Sequence, residues 1–147
     1  LMYGFYAPVY DLVQPFITEE QRQADKILDD IRYLAGSGKK ELRVSDNLPD
    51  VDSRHAALGV LYVTEGSTLG GVIIAEMISK RLNMPPVKGF SFFNAYGDAT
   101  KSRWENFKRT LNGAFTIEQQ TEIKEAAAAA FSSFNEWISE YEPATHK

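Results

Sequence analysis

The stretch LYVTEGSTLGGVIIAEM, residues 61–77, sets three glycines inside an otherwise apolar run. Each glycine in a helix interior costs roughly 1 kcal/mol relative to alanine, so Gly66, Gly70 and Gly71 together would weaken a helix by about 3 kcal/mol. Either the segment is not one helix, or something must approach its backbone closely.

Divided into strand, turn and helix, LGVLYV would be a buried strand, TEGSTLGG a glycine-rich turn and VIIAEMISKRL a helix holding a phosphate at its N-terminus. That is the pattern of an α/β nucleotide-binding protein. The spacing G-x-x-x-G-G, however, matches neither G-x-G-x-x-G nor the P-loop, and the other strands such a sheet needs are missing. Taken as one helix, Gly66 and Gly70 share a face, with Tyr62 one turn before and Ile73 and Ile74 one turn after. A face without side-chain bulk suits a close helix crossing of the small-x-x-x-small kind, or a flat cofactor lying against exposed backbone.

The rest of the chain reads as helices and loops. Leu1, Phe5, Val9, Leu12 and Phe16 recur at helical intervals that Pro8 could bend. Thr18 and Gln21 form a capping-box pattern ahead of Ala24, Ile27, Leu28, Ile31 and Leu34, and Gly36 ends that helix. Residues 37–52 lack periodicity and read as a surface loop. Ser53 or Asp52 caps a helix from Arg54 to about Leu82, which NMPP stops. VKGFSFFNAYGD reads as an ordered loop packed on the core. Residues 99–112 are helical, with Trp104, Phe107 and Leu111 on one face and Gly113 as C-cap. Thr116 and Gln119 cap a last, alanine-rich helix whose buried stripe is Phe131, Phe134, Ile138 and Tyr141, closed by Pro143. At least five helices and no set of strands predict an all-α single-domain bundle.

Composition narrows the function classes. With 147 residues, 44% of them hydrophobic, the chain can bury one sizeable core. A net charge of −4 with interspersed signs provides no basic stripe for nucleic acid or an anionic membrane. The absence of cysteine excludes disulfides, thiolate metal sites and cysteine nucleophiles. The longest apolar run, around residues 56–63, falls short of the roughly 20 residues of a membrane span, so a cytoplasmic protein is expected.

On these residues the chain resembles the heme oxygenase family, particularly the bacterial branch that supplies biliverdin to phytochromes. LGVLYVTEGSTLGG, residues 58–71, is similar to the family's distal helix, whose glycines lie over heme. GFSFFNAYG, WENFKRTLN and AAAAAFSSFNEWI resemble the following loop and helices, and FYAPVY and DDIRYLAG also fit. The resemblance implies heme as substrate and cofactor, O2, electrons from a separate redox donor protein, and release of biliverdin, carbon monoxide and iron. It implies that Gly66 and Gly70 contact the heme face beside Tyr62, with Gly71 in support. Ser67 stands where animal members carry an aspartate that orders a distal water, so Ser67, Thr64 or Glu65 would take that role. Lys108 aligns with a propionate-binding basic residue, with Lys101, Arg103 and Arg109 as further cations. Phe107, Phe131 and Phe134 would line the heme edge.

The family's axial histidine belongs to a helix that would lie upstream of Leu1, so the chain is expected to be a fragment lacking that helix. His55 precedes Gly66 by 11 positions, about 16 Å along a helix, too far to bind iron beneath the same glycines. His146 sits in a polar tail, and no metal-ligand cluster is evident. The alternative to an enzyme is a non-catalytic helical module of the same type that binds a tetrapyrrole or another protein.

Overall fold

The computed structural model describes residues 1–36, 42–84 and 89–141. Six helices follow one another: α1 (Met2–Val13), α2 (Asp25–Ala35), α3 (Arg54–Gly66), α4 (Thr68–Leu82), α5 (Thr100–Leu111) and α6 (Ile117–Tyr141). Among the described residues there is no strand, so the all-α expectation holds and the α/β reading is overturned.

α3 is the hub, and everything from Ala56 to Leu61 is buried. Its closest neighbour is α6. A Cβ on Gly59 would stand 2.2 Å from the Ile123 carbonyl oxygen and 2.8 Å from the Ala126 Cβ. The small-residue crossing anticipated for Gly66 and Gly70 therefore sits two turns earlier. Close backbones require small residues on the partner, so α6 turns Ala126, Ala130 and Ser133 inward, while Trp137 packs further along against Gly4 of α1. This corrects the expected stripe: Phe134 and Ile138 are only partly buried, and Phe131 is exposed. The Tyr141 side chain, Pro143 and His146 lie outside the described residues, as do Pro85 and Pro86.

Caps divide the same way. Ser53 accepts from the Ala56 amide at 3.1 Å, and Thr116 and Gln119 exchange bonds of 2.9 and 3.2 Å, as the sequence predicts. The capping box at Thr18 does not form. α2 begins only at Asp25, because residues 17–24 run irregularly to carry Arg22 into the core. α5 ends at Leu111 with Asn112, not Gly113, as its C-cap. Pro8 sits within α1 and has no N–H to offer the Gly4 carbonyl one turn back. The Ser45 amide supplies that bond at 2.7 Å, fastening the segment after residue 41 across α1.

By length and composition Arg54–Leu82 is apolar enough to cross a membrane, with a mean hydropathy of 1.5, which the run-length reading missed. Burial of α3 in the core accounts for that apolarity.

The crossing generates a paired prediction. Gly59→Ala gains roughly 1 kcal/mol of helix propensity, yet overpacking against backbone should leave it less stable by about 1–3 kcal/mol. Gly70→Ala meets no atom within 4 Å and should be neutral or stabilising by up to about 1 kcal/mol. Urea unfolding of the two variants checks the contrast, and equal effects would contradict the assigned contacts.

Candidate functional site

The long apolar helix breaks between Gly66 and Thr68, at Ser67. Hydroxyls turned back on the preceding turn bend helices, and two do so here. Ser67 Oγ donates to the Thr64 carbonyl at 2.8 Å, and Thr68 Oγ1 to the Glu65 carbonyl at 2.6 Å. Into the same turn comes Arg22, whose Nη2 donates to the Thr64 carbonyl and to Ser67 Oγ, both at 2.6 Å. A side chain inserted into the helical ladder is a recognised origin of a kink. Because the Ser67 proton goes to Thr64, Tyr6 O–H must be the donor in its 3.0 Å bond to Ser67 Oγ. The hydroxyl's one donor and two acceptor positions are thereby filled.

Arg22 is 4% exposed. Its guanidinium lies 4.3 Å from the Phe92 ring centre and 5.2 Å from that of Tyr6, so aromatic faces meet a charge withdrawn from water. Its backbone N–H donates to Glu65 Oε1 at 3.2 Å, and Tyr96 O–H donates to Glu65 Oε2 at 2.7 Å. Glu65 is thus a buried carboxyl rather than a solvated one. Burial raises it above the ordinary 4.5, against the opposing pull of Tyr96 and Arg22. Burial and the neighbouring Glu65 hold the Tyr96 phenol well above its usual range, so it remains a donor. Arg103 stacks 4.3 Å from the Tyr96 ring centre and pairs with Glu20 at 2.5 Å. Glu65, Tyr96, Arg103 and Glu20 line a cleft of about 450 Å³ between α3 and α5, with Trp104 and Phe107 on its wall.

The three glycines have three different surroundings. A Cβ on Gly66 would stand 3.2 Å from the Trp104 indole. On Gly71 it would stand 2.7 Å from the Phe93 carbonyl oxygen. On Gly70 nothing lies within 4 Å. The open face expected across Gly66 and Gly70 is therefore open only at Gly70, since Trp104 covers the first and the break intervenes. Around Gly70 the large apolar residues Leu69, Ile73, Ile74 and Met77 are all exposed. An exposed apolar strip on successive helical turns marks a binding surface. Tyr62 is exposed one turn before Gly66, its ring centre 5.7 Å from that of Trp104.

The remaining candidates disperse. Phe107 is buried behind Trp104, their ring centres 5.8 Å apart. Phe134, partly buried, packs on Phe5 at 4.8 Å at the edge of the core, while Phe131 faces outward. Lys108 pairs with Glu105 at 2.9 Å on the outer side of α5. Lys101 is exposed, and Arg109 donates to Asn106 at 2.8 Å. His55 stands at the start of α3, 3.6 Å from Glu122 and edge-on to Phe115. Among the described residues no group of His, Asp and Glu could hold a metal.

Sequence reasoning missed Arg22, Tyr6, Phe92 and Tyr96. Tyr6 and Tyr10, four apart on α1, were a legible stripe of hydroxyl-bearing aromatics. Arg22, set among Glu19, Glu20, Gln21 and Gln23, carries no local signal of burial.

A family model described as heme oxygenase matches residues 13–140. No curated protein and no solved structure matches the chain.

The buried carboxyl predicts a pH dependence. A carboxyl raised in the fold contributes most below the unfolded value, near 4.5, and that contribution is lost as pH rises through its folded value. Glu65→Gln does not titrate, so its stability relative to the parent chain should improve between pH 4.5 and neutrality. Urea unfolding across that range checks it; a constant or worsening difference would contradict the assignment.

Proposed function

Since the chain belongs to the heme oxygenase family, we propose that it degrades heme at the Gly70 face of α4, opening the ring to biliverdin, carbon monoxide and iron. The observation that carries this reading is the open backbone at Gly70, set among exposed Leu69, Ile73, Ile74 and Met77. A flat apolar ring fits such a surface: the glycine admits it to the backbone, and the aliphatic side chains cover it and exclude water.

Bound heme supplies both the ring that is cut and the iron at which dioxygen reacts, with electrons from a separate donor protein. The chain's own part is to bind and orient. Apolar contact comes from α4, with Tyr62 and Trp104 at the Gly66 end. Cationic contact for the propionates comes from Lys108, whose exposed pair with Glu105 is weak enough to exchange partners. Thr64, Glu65 and Ser67 form the polar end of the seat. Ser67 acts there through its bonds to Arg22 and Tyr6, which leave it no free position for a water. The described residues bring no histidine to this face, His55 standing at the far end of α3. The enzyme is cytoplasmic, and the likeness of residues 58–71 to the bacterial branch makes a phytochrome the proposed consumer of its product.

Two variants test the reading. Gly70→Leu should fold, lose heme turnover and weaken heme binding at least about tenfold, a difference of roughly 1.4 kcal/mol, followed by absorbance titration. A variant that binds and cuts heme like its parent would remove the seat from this face. Lys108→Ala should weaken heme affinity or broaden the biliverdin isomer ratio, because a charge-assisted bond contributes about 1–3 kcal/mol. Unchanged affinity and isomers would return Lys108 to the solvent-exposed surface of α5.

A further inference from the structure

We propose that Arg22 is the positioning residue of the helix break: its guanidinium fixes the direction in which α4 leaves α3, and with it the orientation of the Gly70 face. The catalytic half of this proposal rests on the heme reading above, while the structural half stands on the geometry alone.

The geometry joins two acceptors at one atom. Nη2 of Arg22 bonds the Thr64 carbonyl and the Ser67 hydroxyl at 2.6 Å each, so groups three residues apart are held to a single point. Ser67 closes the triangle by donating to the same carbonyl at 2.8 Å. Withdrawing a guanidinium from water is unfavourable unless its donors are met. Here a backbone carbonyl and a hydroxyl, both belonging to the break, take the Nη2 protons, while the buried Nε finds no partner among the described residues. In an uninterrupted helix the Thr68 amide would share the Thr64 carbonyl; at the break Arg22 and Ser67 are its donors, which ties the buried arginine to the interruption.

The clamp is itself held from three sides. The neighbouring rings of Phe92 and Tyr6, edge-on to each other, lie against the guanidinium, and Glu65 accepts from the Arg22 backbone while Tyr96 holds its other oxygen. Phe92 and Tyr96 belong to the 89–98 loop, whose Phe93 carbonyl abuts Gly71 on the first turn of α4. Asp30 anchors that loop by accepting from the Ser91 and Phe92 amides at 2.8 and 2.9 Å. Gly70 lies three residues beyond Ser67, so any rotation at the break swings its open face. A lysine Nζ could donate to both acceptors but lacks the planar, weakly hydrated guanidinium that lies against the Phe92 and Tyr6 rings.

The test uses the full chain with Arg22→Lys, Arg22→Met and Ser67→Ala, read by amide hydrogen exchange and by heme turnover. In both Arg22 variants exchange over residues 64–71 should accelerate by roughly tenfold while residues 126–137 of α6 keep their protection. Ser67→Ala should give a smaller effect at the same amides. With heme, the Arg22 variants should give a more mixed set of biliverdin isomers and a higher KM. Should Arg22→Met fail to fold, Arg22→Lys carries the test. Unchanged exchange at 64–71, or uniform acceleration reaching α6, would overturn the clamp. Faster local exchange with an unchanged isomer ratio would overturn its link to the Gly70 face. A parent chain that does not bind heme would sink the heme reading, and the exchange data would still decide the clamp.

Discussion

One buried charge organises the centre of this molecule. The Arg22 guanidinium lies inside the break between α3 and α4, against one carbonyl, one hydroxyl and two aromatic rings. Its demands explain features that otherwise look unrelated: the irregular segment before α2, the tyrosine on α1 that faces Ser67, and the docking of the 89–98 loop. Each supplies or holds a group that an arginine without water requires. The helical bundle could satisfy hydrophobic burial in many arrangements, whereas this polar knot accepts few.

The glycines follow from the same constraint of close approach. Gly59 lets α3 and α6 touch backbone to backbone, and Gly71 lets α4 meet the Phe93 carbonyl. Gly66 takes the Trp104 indole. The helix propensity surrendered at those three positions is offset by packing within the chain. Gly70 has no such compensation among the described residues, and on the proposed reading an outside ring accounts for it. Around it α4 exposes aliphatic side chains on successive turns, a surface that water does not favour.

Much of the fold was legible because it is local. Periodic apolar residues located the helices, and the Ser53 and Thr116 caps announced two helix starts through hydrogen bonds that span three residues. Where tertiary contact decided, local pattern misled. Thr18 has the form of a cap, but Arg22 pulls its neighbourhood out of helical register. The bulky Phe131 looked like core, yet the Gly59 crossing admits only small side chains and rotates α6 onto its alanines. The site divides similarly. Glycine content signalled an unusual helix face, but only the assembled structure distinguishes the covered Gly66 from the open Gly70. Arg22 and Tyr96, 74 positions apart in the chain, meet at Glu65 through tertiary folding that no short-range pattern encodes.

The central claim is that the aliphatic strip around Gly70 seats the tetrapyrrole ring. Methyl NMR of the chain titrated with gallium protoporphyrin tests it most directly, because ring currents shift only the methyl groups lying over the ring. The account predicts large, saturable shifts at Leu69, Ile73, Ile74 and Met77, with Val60 and Leu58 in the buried core unmoved. Shifts confined to Ile117 and Ile123 on α6, with the α4 methyls unchanged, would place the ring elsewhere and contradict the account.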